Sequence, residues 1–81
     1  MIFDIKILFV YGEDWEAVYL GNALFRQGHA ITPEDWFDLI SHITKGGLKI
    51  NGFKKIEVVD PDGELFRYPE SFSDFPAKFL L

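Results

Sequence analysis

DWEAVYLGNALFRQGH, Asp14 to His29, is two β-prone runs joined by Gly21-Asn22. A Gly-Asn pair between such runs predicts a β-hairpin with a two-residue connection of type II′. Folding about that turn pairs Tyr19 with Leu24, Val18 with Phe25 and Ala17 with Arg26. It also sets Trp15 opposite Gly28 and Asp14 opposite His29. Trp15, Ala17, Tyr19 and Leu24 then share one face. Val18, Leu20 and Phe25 share the other, with Glu16, Gln27, Asp14 and His29 toward the open end. Trp15 over Gly28 is an aromatic covering a strand glycine. Together with Asp14 and His29 it forms a latch that closes the hairpin.

Working outward, residues 2–11 alternate as a strand. Phe3, Ile5, Ile7, Phe9 and Tyr11 lie on one side, and Leu8 and Val10 make the far half apolar on both, which predicts a central position or a bulge. After the hairpin, Thr32-Pro33-Glu34-Asp35 is a helix start: Thr32 as N-cap, Pro33 at the first helical position, acids at the positive end of the dipole. Trp36, Leu39, Ile40 and Ile43 make an apolar stripe, and Gly46-Gly47 ends the helix near residue 45. Leu48 to Asn51 reads as extended, Asn51-Gly52 as a turn and 54–59 as a strand. Asp60-Pro61-Asp62-Gly63 is a turn leading to a last strand over 64–68. The tail, PESFSDFPAKFLL, is irregular with at most one helical turn, and Phe72, Phe75, Phe79 and Leu80 tie it to the body. The predicted fold is one α+β domain over residues 1–81, a small antiparallel βββ-α-ββ sheet covered on one face by a single helix. Surplus apolar residues fall on the other face.

Composition narrows the function. The chain has 81 residues, 17% of them aromatic, and a net charge of −5 from thirteen acids and eight bases. An acidic balance opposes direct binding to nucleic acid, which needs Lys and Arg to neutralise phosphates. Without cysteine there are no disulfides or thiolate metal sites, as suits a cytoplasmic protein. MIFDIKILFVY carries Asp4 and Lys6, lacks the layout of a signal peptide and falls short of the ~20 apolar residues of a membrane helix.

Asp14 beside His29 is the one arrangement suggestive of acid-base chemistry. No nucleophile accompanies it, since Ser41, Ser71 and Ser73 lie in the helix and the tail, and a cross-strand polar pair explains it more simply. His29 and His42 have no metal-ligand spacing. Asp38 and His42, four apart on the helix, read as a solvated ion pair. Asp60 to Glu64 lacks the length of a calcium loop, and no glycine-rich phosphate loop opens a helix. Neither a cofactor nor a metal site is expected.

DWEAVYLGNALFRQGHAIT resembles a set of short phage and bacterial proteins in which an Asp-Trp-x-x-Φ-Tyr strand returns through Gly-His into a helix. The matching residues are Asp14, Trp15, Tyr19, Gly28 and His29, and YPESFSDFP also looks like their tails. The turn differs, with Gly21-Asn22 here and Asp-Gly in the relatives. The resemblance implies a phage or prokaryotic origin and an α+β fold, and it brings no activity or catalytic residue. The expected function is a small, acidic, non-enzymatic protein-binding module of the accessory or host-inhibiting kind. It would act in the cytoplasm of a prokaryote or phage-infected host, away from membranes. Its expected surface is Val18, Leu20 and Phe25, rimmed by Glu13, Asp14 and Glu16, because interfaces favour aromatic anchors with a polar rim. The alternatives are a homo-oligomer, such as a dimer paired at its edges, and a small hydrolase or metal-dependent enzyme using His29.

Overall fold

In the computed structural model, which describes residues 4–60, 63, 65 and 67–80, four strands and one helix follow in the order βββ-α-β. The strands are β1 (Asp4–Tyr11), β2 (Glu16–Leu20), β3 (Ala23–Gly28) and β4 (Lys49–Glu57), and the helix is α1 (Pro33–Gly46). The sheet order is β3-β2-β1-β4. Strand β1 is central, antiparallel to β2 and parallel to β4. That position explains why its far half is apolar on both faces: Val10 is wholly buried beneath the tail, while Phe9 meets Trp36 of the helix.

Two expectations about the sheet are corrected. It is mixed rather than antiparallel, because α1 carries the chain back along the sheet and β4 enters from the same end as β1. It also has four strands rather than five. Asn51-Gly52 is not a turn: β4 runs through it, with Ile5 facing Ile50 and Lys6 facing Gly52, so Asn51 is the extra residue of a bulge. Of the expected last strand, residues 64 and 66 lie outside the described set, and Leu65, Arg67 and Tyr68 are not in a strand.

What replaces the fifth strand is a belt. The tail reaches the outer edge of β3, where Leu24 N–H donates to Glu70 O (2.8 Å) and Phe72 N–H to Asn22 O (2.8 Å). It then crosses to the outer edge of the chain just past β4, where Val59 N–H donates to Phe79 O (2.8 Å). Single-turn 3₁₀ helices at Phe72–Asp74 and Ala77–Phe79 shape the path. Tyr68, Phe75 and Phe79 are buried against Val10, Ala17, Tyr19, Ile56 and Val58, with Phe72 and Leu80 packed beside them. The face expected to be free is therefore the main core, and the helix, sheet and belt form three layers.

Helix α1 begins as predicted. Thr32 Oγ1 accepts from Asp35 N–H (3.2 Å) and Asp35 Oδ2 accepts from Thr32 N–H (2.9 Å), a reciprocal cap. Gly47 ends it in the left-handed conformation at φ 64°, which a glycine adopts without steric cost. Of the apolar stripe, Leu39 is buried and Trp36 and Ile43 are half-buried, but Ile40 stays 57% exposed, next to the 70% exposed Phe37. No helix among the described residues is long and apolar enough to cross a membrane.

Candidate functional site

The hairpin has the expected turn and a different register beyond it. Gly21 takes φ 64° and Asn22 does not take a positive φ, as type II′ requires. Leu20 pairs with Ala23 and Tyr19 with Leu24, but Val18 then faces Arg26, Ala17 faces Gln27 and Glu16 faces Gly28. Phe25 is the extra residue of a bulge. Phe25 and Arg26 consequently both meet the helix: Phe25 packs on His42 (5.5 Å between ring centroids), and Arg26 pairs with Asp38 (3.5 Å) and Asp35 (3.8 Å). Asp38 thus pairs with Arg26 rather than with His42.

The helix covers the face that holds the expected binding strip. Val18 is 1% exposed, in the layer between sheet and helix, and cannot anchor a partner. Leu20 is half-buried on the strand flanked by Ile7 and Ala23. Phe25 is half-buried between the Arg26 guanidinium, 4.7 Å from its ring centre, and His42. Glu16 is spent internally, accepting from Ile31 N–H (2.7 Å) and so tying the helix approach to the hairpin. Only Glu13 and Asp14 of the proposed rim remain exposed.

The latch is also rebuilt. Trp15 meets His29 edge to face (5.0 Å between centroids, 73°), while Gly28 faces Glu16. His29 Nδ1 lies 3.3 Å from the main-chain oxygen of Asp14, so the contact is with the peptide and not with the carboxylate. Trp15 is held at both ends. Its Nε1–H donates to Gln27 Oε1 (2.8 Å), and its carbonyl accepts from Gly12 N–H (2.8 Å) and Tyr68 O–H (3.1 Å). Gln27 Oε1 also accepts from Tyr68 N–H (3.0 Å), and Gln27 Nε2 donates to Tyr68 O (3.1 Å). Gly12 is required there: a Cβ on it would stand 2.7 Å from Tyr68 Oη.

These bonds fix one wall of a cleft of about 690 Å³, within the range of ligand sites. It opens where the parallel strands β1 and β4 end. Its walls include Tyr11, Trp15, Val58, Leu65 and Tyr68, and its lining carries four carboxylates, Glu13, Asp14, Glu57 and Asp60. Asp60 also accepts from Leu65 N–H (2.7 Å). Lys55 is the neighbouring cation, with Nζ 5.5 Å from the centre of the Tyr11 ring. Burial pushes the Tyr68 phenol up to about 12, helped by the charges of Asp60 and Glu16, so it stays a neutral donor to Trp15. The sequence reading found Glu13, Asp14 and Trp15 but missed Tyr11, Glu57, Asp60 and Tyr68 as their companions. Only the parallel pairing of β4 with β1 brings them together, and no local pattern announces that pairing. No three His, Cys, Asp or Glu side chains among the described residues are placed to hold one metal ion together.

Comparison with protein-family models, curated proteins and solved structures yields no match.

Proposed function

We propose that this chain is a non-enzymatic protein-binding module, an accessory or inhibitory protein of the phage or prokaryotic kind its hairpin resembles, and that it grips a basic partner through the acidic cleft. The observation that carries this reading is the cleft's composition, with aromatic walls and a four-carboxylate lining. A lysine or arginine side chain from a partner can lie against Trp15 while the carboxylates meet its charge. Cation–aromatic contact contributes about 0.5–2 kcal/mol. Each exposed ion pair adds only about 0.2–1 kcal/mol. The rim therefore acts as a group, and single charge changes have little effect. The absence of a hydrogen bond between the Asp14 carboxylate and His29 favours binding over acid-base chemistry.

An NMR titration tests this reading. A short arginine-containing peptide is expected to shift the amides of Glu13, Trp15 and Val58, and an acidic peptide of the same length is not. The triple variant E13K/D14K/E57K should lose the response with its spectrum otherwise intact, and V18A should keep it. Equal shifts with both peptides, or an unaltered response in the triple variant, would rule the cleft out.

A further inference from the structure

The belt covers the sheet edges unevenly. On the β3 side, the tail bonds the outer edge at Asn22 and Leu24. On the β4 side, the described residues of the tail bond it at Val59, above the strand. Val58 N–H points inward, to Tyr11 O (2.8 Å). Main-chain groups alternate in direction along a parallel ladder, and the register is continuous from Gly52 to Glu57. Lys54 and Ile56 therefore point to β1, and Phe53 and Lys55 point outward. Among the described residues, nothing bonds the outward groups of Phe53 and Lys55.

Near this bare stretch are large apolar side chains that stay exposed. Phe53 is 56% exposed on the helix side of β4, against Trp36 (6.3 Å between centroids), with Ile40 and Phe37 exposed on the helix above. The charge here is opposite to that of the chain as a whole. Lys49, Lys54 and Lys55 lie on β4 itself, and the Lys6 side chain reaches across Gly52, its Cε 3.3 Å from where a Cβ would stand. Ion pairs among the described residues involve Arg26, Asp35 and Asp38, and these lysines take part in none.

We infer that the lower half of β4 is a second binding site, one that accepts an extended, acidic, apolar segment of another protein as an added strand. Added strands gain affinity from main-chain bonds and specificity from alternate side chains. Outward groups of Phe53 and Lys55 would supply the ladder, Phe53, Ile40 and Phe37 the apolar seat, and the lysines the selection for acids. Lysine at an edge strand also discourages unwanted pairing. That role explains the charges but leaves the exposed Phe53, Ile40 and Phe37 without a purpose. A second copy of the chain paired β4 to β4 is disfavoured, because it brings the lysines of both copies together. A nucleic acid would use the lysines but not the outward ladder groups.

The probe is a capped eight-residue peptide alternating glutamate with valine, and the control replaces glutamate with lysine. Binding of the acidic peptide to the full chain should shift the Phe53 and Lys55 amides and slow their hydrogen exchange. Its affinity should exceed the control's by at least about tenfold. Lys55→Pro removes an outward N–H that β1 does not use, and should weaken binding about tenfold with the β1 ladder intact. Should that variant fold poorly, K49E/K54E leaves the backbone unaltered and should reverse the preference between the peptides. The inference is overturned by equal response to both peptides, by shifts confined to the cleft, or by no response at millimolar peptide. A single-stranded oligonucleotide saturating the same amides overturns it too, as does protection of those amides that grows with protein concentration alone.

Discussion

The cleft and the lower β4 edge lie on the same strand pair and differ in almost every physical respect. At the upper end of β1 and β4 the surface is concave, acidic and held by a closed set of hydrogen bonds through Gln27, Trp15 and Tyr68. Lower on β4 it is an open strand edge, flanked by lysines and an exposed phenylalanine. The belt produces the contrast. Where it crosses above β4 it satisfies the edge, and below that crossing no described residue continues the ladder. A chain of net charge −5 can therefore present a basic face, because the charge is sorted along one strand.

The largest effect on this contrast comes from the belt. Phe79→Ala removes a buried aromatic at the belt's far anchor and should cost about 3–5 kcal/mol in chemical denaturation. It should also release the Val59 amide to hydrogen exchange, so that the bare edge grows upward and the two regions merge. Retained protection at Val59 would show that the belt does not set the boundary.

High pH tests the cleft wall next. Burial raises the pKa of Tyr68 to about 12, and it raises that of Tyr19 as well, with Tyr68 adding to the shift. An unfolded tyrosine titrates near ~10. A raised folded pKa makes its stabilisation complete below pH ~10 and lost as pH climbs toward the folded values. Stability should fall steadily above pH ~10, and Tyr68→Phe should flatten that fall.

A smaller change separates the regions directly. Gly12→Ala puts a methyl 2.7 Å from Tyr68 Oη and should cost about 1–3 kcal/mol, shifting the amides of Trp15 and Tyr68 and leaving Phe53 untouched.

The smallest effects distinguish acids with structural work from acids without it. Thr32→Ala removes the helix cap and should cost about 1 kcal/mol. Asp35 is held below the usual carboxylate range, chiefly by the Thr32 N–H, which outweighs the opposing desolvation, with the Thr32 hydroxyl and Arg26 adding to the lowering. Its contribution is present above the ordinary range and is lost only as pH falls through the lowered value. Glu13→Gln and Asp14→Asn should leave thermal unfolding unchanged, while each removes one charge from the cleft rim.

Local chemistry was legible and pairing was not. Thr32-Pro33 and Gly47 mark the helix ends because caps answer to backbone groups within four residues. Gly21 marks the hairpin turn for the same local reason, and Phe75 and Phe79 were recognisable as tail anchors. The register beyond the turn was hidden, because a bulge at Phe25 inserts one residue without any change in residue type. That single residue put Arg26 beside Phe25 on the helix side, and the packing of the helix on that face covered the expected strip. Asn51-Gly52 misled in the opposite direction: a pair that usually turns a chain instead bends an edge strand.

Residue identities alone specify an acidic, aromatic-rich α+β chain with a capped helix, a hairpin about Gly21-Asn22 and an apolar tail. These properties depend on interactions between near neighbours. The parallel docking of β4 on β1, the belt across both edges and the sorting of carboxylates from lysines belong to the folded molecule. They depend on contacts between residues some forty or more positions apart, such as Val10 with Ile56 and Leu24 with Glu70. Such contacts form only when the whole core closes, and no short stretch of the chain encodes them.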